Sequence, residues 1–69
     1  MNKVLVIEGM SCNHCKMRVE NALSALAGVE SVSVDLAAKT ATLTLTEDIA
    51  SSVLTEVIDD AGYDLIEIK

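Results

Sequence analysis

Apolar residues recur along the chain at two spacings, and the change from one to the other marks out the elements. Lys3 to Glu8 is a short aliphatic run that stops at Gly9, as expected of a strand running into a loop. From Asn13 the period lengthens. Cys15, Val19, Ala22, Leu23 and Leu26 fall on one side, with Lys16, Arg18, Glu20 and Asn21 on the other, which predicts a helix. Asn13 is its expected N-cap, and Gly28 stands where a left-handed C′ residue would end it. Val32, Val34 and Leu36 alternate with Ser31, Ser33 and Asp35, predicting a half-buried strand. After Ala37-Ala38-Lys39, a turn without Gly or Pro, Ala41, Leu43 and Leu45 alternate with Thr40, Thr42 and Thr44 as a second such strand. Asp48 is the expected cap of a second helix, with Ile49, Val53, Val57, Ile58 and Ala61 inward, Glu56, Asp59 and Asp60 outward, and Gly62 closing it. Tyr63 to Ile68 is the last strand. Its Leu65, Ile66 and Ile68 do not alternate and leave its facing open, while Asp64, Glu67 and Lys69 suit a sheet edge.

The order is therefore βαββαβ, and its halves resemble each other: Ala27-Gly28-Val29 and Ala61-Gly62-Tyr63 are expected to end their helices in the same way. Two βαβ units in this order predict an α+β, ferredoxin-like sandwich: a four-stranded antiparallel sheet with two helices on one face. Residues 1–69 read as a single domain with no linker. Thr40, Thr42 and Thr44 would line the open face of the sheet, together with Val4 and Val6, an apolar pair the pattern does not explain.

Composition narrows the use of such a fold. Apolar residues make up 51% of the 69 residues, and Tyr63 is the only aromatic, so the core is aliphatic. A chain of this size buries only about 60% of its unfolded surface, which favours a site on a surface loop. The net charge of −6 argues against nucleic acid, which calls for a basic footprint, and against an anionic membrane surface. No run approaches the ~18 apolar residues of a membrane span, and Val4-Leu5-Val6-Ile7 is too short for a signal-peptide core. The expected location is the cytoplasm. In that reducing compartment, two cysteines three apart read as metal-binding or redox rather than as a structural disulfide.

Both cysteines and the only histidine lie in Gly9-Met10-Ser11-Cys12-Asn13-His14-Cys15. Cys12 is expected in the loop after the first strand and Cys15 in the first helical turn, so both sulfurs can face one point. The helix N-terminus favours thiolate over thiol. Structural Zn(II) wants four ligands; this loop supplies two thiolates, with His14 as an accessory donor between them. A two-thiolate site suits a d¹⁰ monovalent ion such as Cu(I), with Ag(I), Hg(II) and Zn(II) as alternatives. An under-coordinated, exposed ion can be attacked by a thiolate from another protein, which hands it on without releasing it. That chemistry is binding and delivery, not catalysis. A different class is a thiol-disulfide oxidoreductase, whose Cys-x-x-Cys also starts a helix. The chain has no proline, so no cis-proline can stand beside the motif, and it is short for a thioredoxin-like fold.

The seven-residue loop resembles the Gly-Met-x-Cys-x-x-Cys signature of heavy-metal-associated domains, and the likeness extends over the whole βαββαβ chain. It is most similar in form to the bacterial copper chaperones of the CopZ type. The resemblance implies Cys12 and Cys15 as Cu(I) ligands, Met10 packed inward beneath the loop, and Tyr63 beside the site limiting access to it. It also implies a copper-transporting P-type ATPase metal-binding domain or a copper-responsive regulator as the recipient. Some members are basic around the site; here only Lys16 and Arg18 are near it, against an acidic second helix. A monomer when apo is expected, with a metal-bridged homodimer as the arrangement in which His14 would matter most. The same signature also occurs in N-terminal domains of heavy-metal ATPases and in mercury-binding relatives. Met1 and the stop after Lys69 suit a free-standing protein.

Overall fold

The computed structural model describes residues 1–69. Its elements run β1 (Asn2–Glu8), α1 (Asn13–Ser24), β2 (Val29–Asp35), β3 (Thr40–Leu45), α2 (Ser51–Asp60) and β4 (Asp64–Ile68). The strands form one sheet in the order β2-β3-β1-β4, and every neighbouring pair is antiparallel. The predicted α+β, ferredoxin-like sandwich is therefore the observed fold. β1 is central, bonded to β3 along one side and to β4 along the other, so its C-terminal end is held firmly where the cysteine loop begins.

Alternation decides which face of the sheet the helices cover. Leu5 and Ile7 of β1 and Ala41, Leu43 and Leu45 of β3 are buried, and they form one cluster with Val19 and Leu23 of α1 and Leu54 and Ile58 of α2. Thr42, paired with Val4, is exposed on the opposite face. Val4 and Val6 stand across from Thr42 and Thr40 and are half-buried there.

Several expected details differ, each for a backbone reason. The N-cap of α1 is Cys12, not Asn13, because the Lys16 amide already bonds to the Cys12 carbonyl at 3.1 Å. Gly28 does not end α1. The helix stops at Ser24 with Ala25 as C-cap, and Gly28 takes its left-handed φ of +94° three residues later, where the chain turns into β2. Its carbonyl there accepts the Thr46 amide at 2.8 Å and the Thr46 hydroxyl at 3.2 Å.

Asp48 does not cap α2. The amides of Val53 and Leu54 both bond to the Ala50 carbonyl, which makes Ala50 the N-cap. The Asp48 carboxylate instead pairs with Lys3 Nζ at 3.2 Å. This later start shifts the inward stripe. Leu54 is fully buried, Val53 is 39% exposed, and Ile49 reaches the core from the segment before the helix.

The irregular pattern of β4 has a local cause. Leu65 pairs with Ile7 and Ile68 with Leu5, both buried partners, while Glu67 pairs with Val6 on the open face. The register shifts between Val6 and Ile7, leaving Ile66 as the extra residue of a bulge. That residue is accordingly exposed.

Leu54→Ala should cost about 2–5 kcal/mol in chemical denaturation, whereas Val53→Ala should stay within about 0.5 kcal/mol of the parent. Equal losses would contradict the observed facing of α2.

Candidate metal centre

Three neighbouring segments make the site: the loop after β1, the first turn of α1 and the turn between α2 and β4. Gly9 leaves β1 at φ +100°, in the left-handed region. A Cβ at that position would also lie 3.2 Å from Tyr63 Cδ1, so glycine serves both the turn and the close approach of the tyrosine. Met10 then drops into the core, only 7% exposed. That anchors the loop from beneath and keeps the thioether away from the surface. Cys12 is extended, with φ −153° and ψ 174°, at the N-cap of α1. Cys15 follows as the third helical residue.

This geometry brings the sulfurs together. Cys12 Sγ–H donates to Cys15 Sγ at 3.7 Å, and both cysteines are free. They are not equivalent: Cys12 is exposed and Cys15 half-buried. The Cys15 thiol is lowered from its ordinary 9.0 to about 6, first by the Ser11 backbone amide, then by the Tyr63 hydroxyl. Burial opposes these, and the Cys12 thiol and amide add smaller contributions in the same direction as the leading pair. The amide donors are thus those of the loop that wraps back over Cys15. Tyr63 shifts the opposite way. Its hydroxyl is raised above the usual 10.0 by the bond to Cys15, with burial and the nearby thiolate adding to it and Arg18 pulling it down.

Tyr63 is delivered by the end of α2. Gly62 takes φ +94°; its amide bonds to the Asp59 carbonyl at 3.0 Å, and the Tyr63 amide bonds to the Ile58 carbonyl at 3.1 Å. This is a Schellman closure, with buried Ile58 and half-buried Tyr63 as its apolar pair. The structure therefore brings Cys12, Cys15 and Tyr63 into one place, with Met10 underneath. His14 is exposed on α1. Sequence reasoning missed Ser11, and no side-chain signal could reveal it, because it acts through its main-chain amide.

Two converging sulfurs, one of them a thiolate near neutral pH, suit a soft cation. No group of three or more His, Cys, Asp or Glu side chains is placed to hold a metal ion. The fold and loop together define a βαββαβ sandwich that carries a surface dithiol at a helix start.

Comparison with known proteins places this arrangement. Residues 4–64 match the heavy-metal-associated domain (HMA). The chain is 42% identical over 66 residues to the copper chaperone CopZ of Staphylococcus haemolyticus strain JCSC1435, covering 94% of this chain and 97% of that protein. Among solved structures it is similar to a CopZ metallochaperone, with TM-score 0.88, 37% identity, and coverage of 96% and 100%. It is also similar to a copper binding domain from HMA7, a P-type ATPase, with TM-score 0.82, 30% identity, and coverage of 100% and 92%. The chain belongs to the heavy-metal-associated domain family.

Site-resolved alkylation by iodoacetamide should show Cys15 reacting with a midpoint near pH 6. Tyr63→Phe should move that midpoint upward, and an unchanged midpoint would remove the hydroxyl from the account. Because the folded value lies below the unfolded one, the thiolate's contribution to stability is complete above about pH 9. It is lost progressively as pH falls towards about 6. Denaturation of the reduced metal-free protein across that window should show the decline, and Cys15→Ser should flatten it.

Proposed function

We propose that the chain is a cytoplasmic Cu(I) metallochaperone, with Cys12 and Cys15 as its ligands and no catalytic activity of its own. The observation that carries this reading is the asymmetric dithiol: one sulfur exposed, one half-buried, 3.7 Å apart. Bonds of about 2.3 Å to a common ion would place two sulfurs about 4.6 Å apart if the site were linear. The shorter observed separation fits a bent chelate that leaves room for a third thiolate on the exposed side. An acceptor's cysteine attacks there and forms a three-coordinate intermediate. Cys12, the exposed sulfur, is displaced first, and Cys15, held by the loop amides and Tyr63, lets go last.

The copper chaperones and the copper binding domain to which the chain is similar support copper as the cargo. Their make-up also supports a recipient built on the same fold, the metal-binding domain of a copper-transporting P-type ATPase; a copper-responsive regulator is the other recipient with the chemistry to accept the ion. The same site would serve equally as such an ATPase's own domain. No helix is long and apolar enough to cross a membrane. The apo chain is proposed to be monomeric, and two copies can share an ion across their loops, where His14 stands at the rim.

Anaerobic Cu(I) titration against a competing chelator tests the reading. One ion per monomer is expected, lost on Cys12→Ser or Cys15→Ser, with affinity falling as pH drops through about 6. Oxidation of the pair to a disulfide should block loading until a reductant is added. Tight binding retained by both serine variants would defeat the proposal.

A further inference from the structure

The outer face of α1 carries two soft donors that the dithiol does not use. Met17 is 56% exposed, in contrast to Met10 at 7%, so burial does not account for a thioether at this position. His14 is exposed one helical turn earlier. Residues at i and i+3 are neighbours on a helix surface, about 5–6 Å apart at Cβ. A single ion bonded at ~2.0–2.3 Å to each donor can span that distance. Neither side chain makes a hydrogen bond or an ion pair within the molecule, so both are free to turn towards a common ligand.

We propose that His14 and Met17 form a second, weaker site for soft monovalent cations on the outer face of α1. An imidazole with a thioether is a donor pair for d¹⁰ monovalent ions and a poor one for Mg²⁺ or Ca²⁺, which take oxygen. An imidazole and a thioether bind as uncharged ligands, so the bond is carried by ligand softness. The nearby Arg18 weakens the site, whereas the net charge of −6 favours cation approach. The site requires neither thiolate and differs from His14 acting in a loop-bridged dimer, because its second donor lies on the same helix. Its use would be to hold an ion close to Cys12 before the dithiol takes it or after an acceptor displaces it.

The probe is Ag(I) in chloride-free buffer, followed by NMR of the Met17 methyl and the His14 ring protons. In the Cys12→Ser/Cys15→Ser variant both signals should shift together and saturate. Met17→Leu in that background should weaken the response of His14 at least tenfold, as should His14→Gln that of Met17. Neither side chain is in the core, so these variants keep the fold. Should the double serine variant not fold, wild-type protein answers the question: the first equivalent of Ag(I) goes to the cysteines, and the second should move the Met17 methyl. Zn(II) should shift His14 without Met17. A Met17 methyl unmoved by excess Ag(I), or a His14 response unchanged by Met17→Leu, would overturn the proposal. Failure of the dithiol reading would show separately, as a first equivalent that the serine variants still bind tightly.

Discussion

The contact between Tyr63 and Gly9 is the joint on which the site depends. It joins two segments far apart in sequence, the exit of β1 and the exit of α2, and it exists because Gly9 has no side chain where the ring lies. The main chain of the tyrosine is anchored. Its amide is bonded to the carbonyl of Ile58, which is fully buried in the core. A path of contacts thus runs from the packed side of α2, through one turn and one aromatic ring, to Gly9 at the start of the cysteine loop. Met10 closes the same arrangement from below. The loop therefore combines surface access with core-derived rigidity, the combination expected of residues that must hold a ligand geometry on a small scaffold.

Much of this was legible in the sequence, and the parts that were not have identifiable physics. Alternation in β2 and β3 depends only on side-chain order, so the facing of Ala41, Leu43 and Val34 could be read directly. The dithiol loop was legible because its chemistry is rare and local. Helix ends were harder, because capping is a competition that tertiary contacts settle. Asp48 has good capping chemistry, but Lys3 claims its carboxylate from another strand. With α2 starting at Ser51, the inward stripe passes through Leu54 instead of Val53. Gly28 carried the right conformation but the wrong role, since Ala25 to Ala27 add a further turn before the left-handed residue. The facing of β4 was unreadable because a bulge breaks the period of two. Ser11 was invisible for a different reason, since every residue type but proline offers the same amide.

The charge distribution adds a second layer. Asp59 and Asp60 lie in the last turn of α2, where a carboxylate is disfavoured by the helix dipole, and no basic residue accompanies them. Asp64 lies directly across from Glu8 in the β1–β4 ladder, another like-charge placement, which Lys39 relieves in part through its 3.7 Å pair with Glu8. Local stability is thus not the quantity optimised at this end of the molecule.

Cys12 is the N-cap of α1, yet no side chain caps that helix, and Cys15 is the third residue inside it. These are the two positions that a capping box would tie together by reciprocal hydrogen bonds. On the proposed function, an ion held between the sulfurs would make the same tie with metal–ligand bonds. Loading would then complete an unfinished helix terminus, and release would leave it open again. Secondary structure and cargo would be coupled at this point, and the loaded protein would be the more firmly folded one.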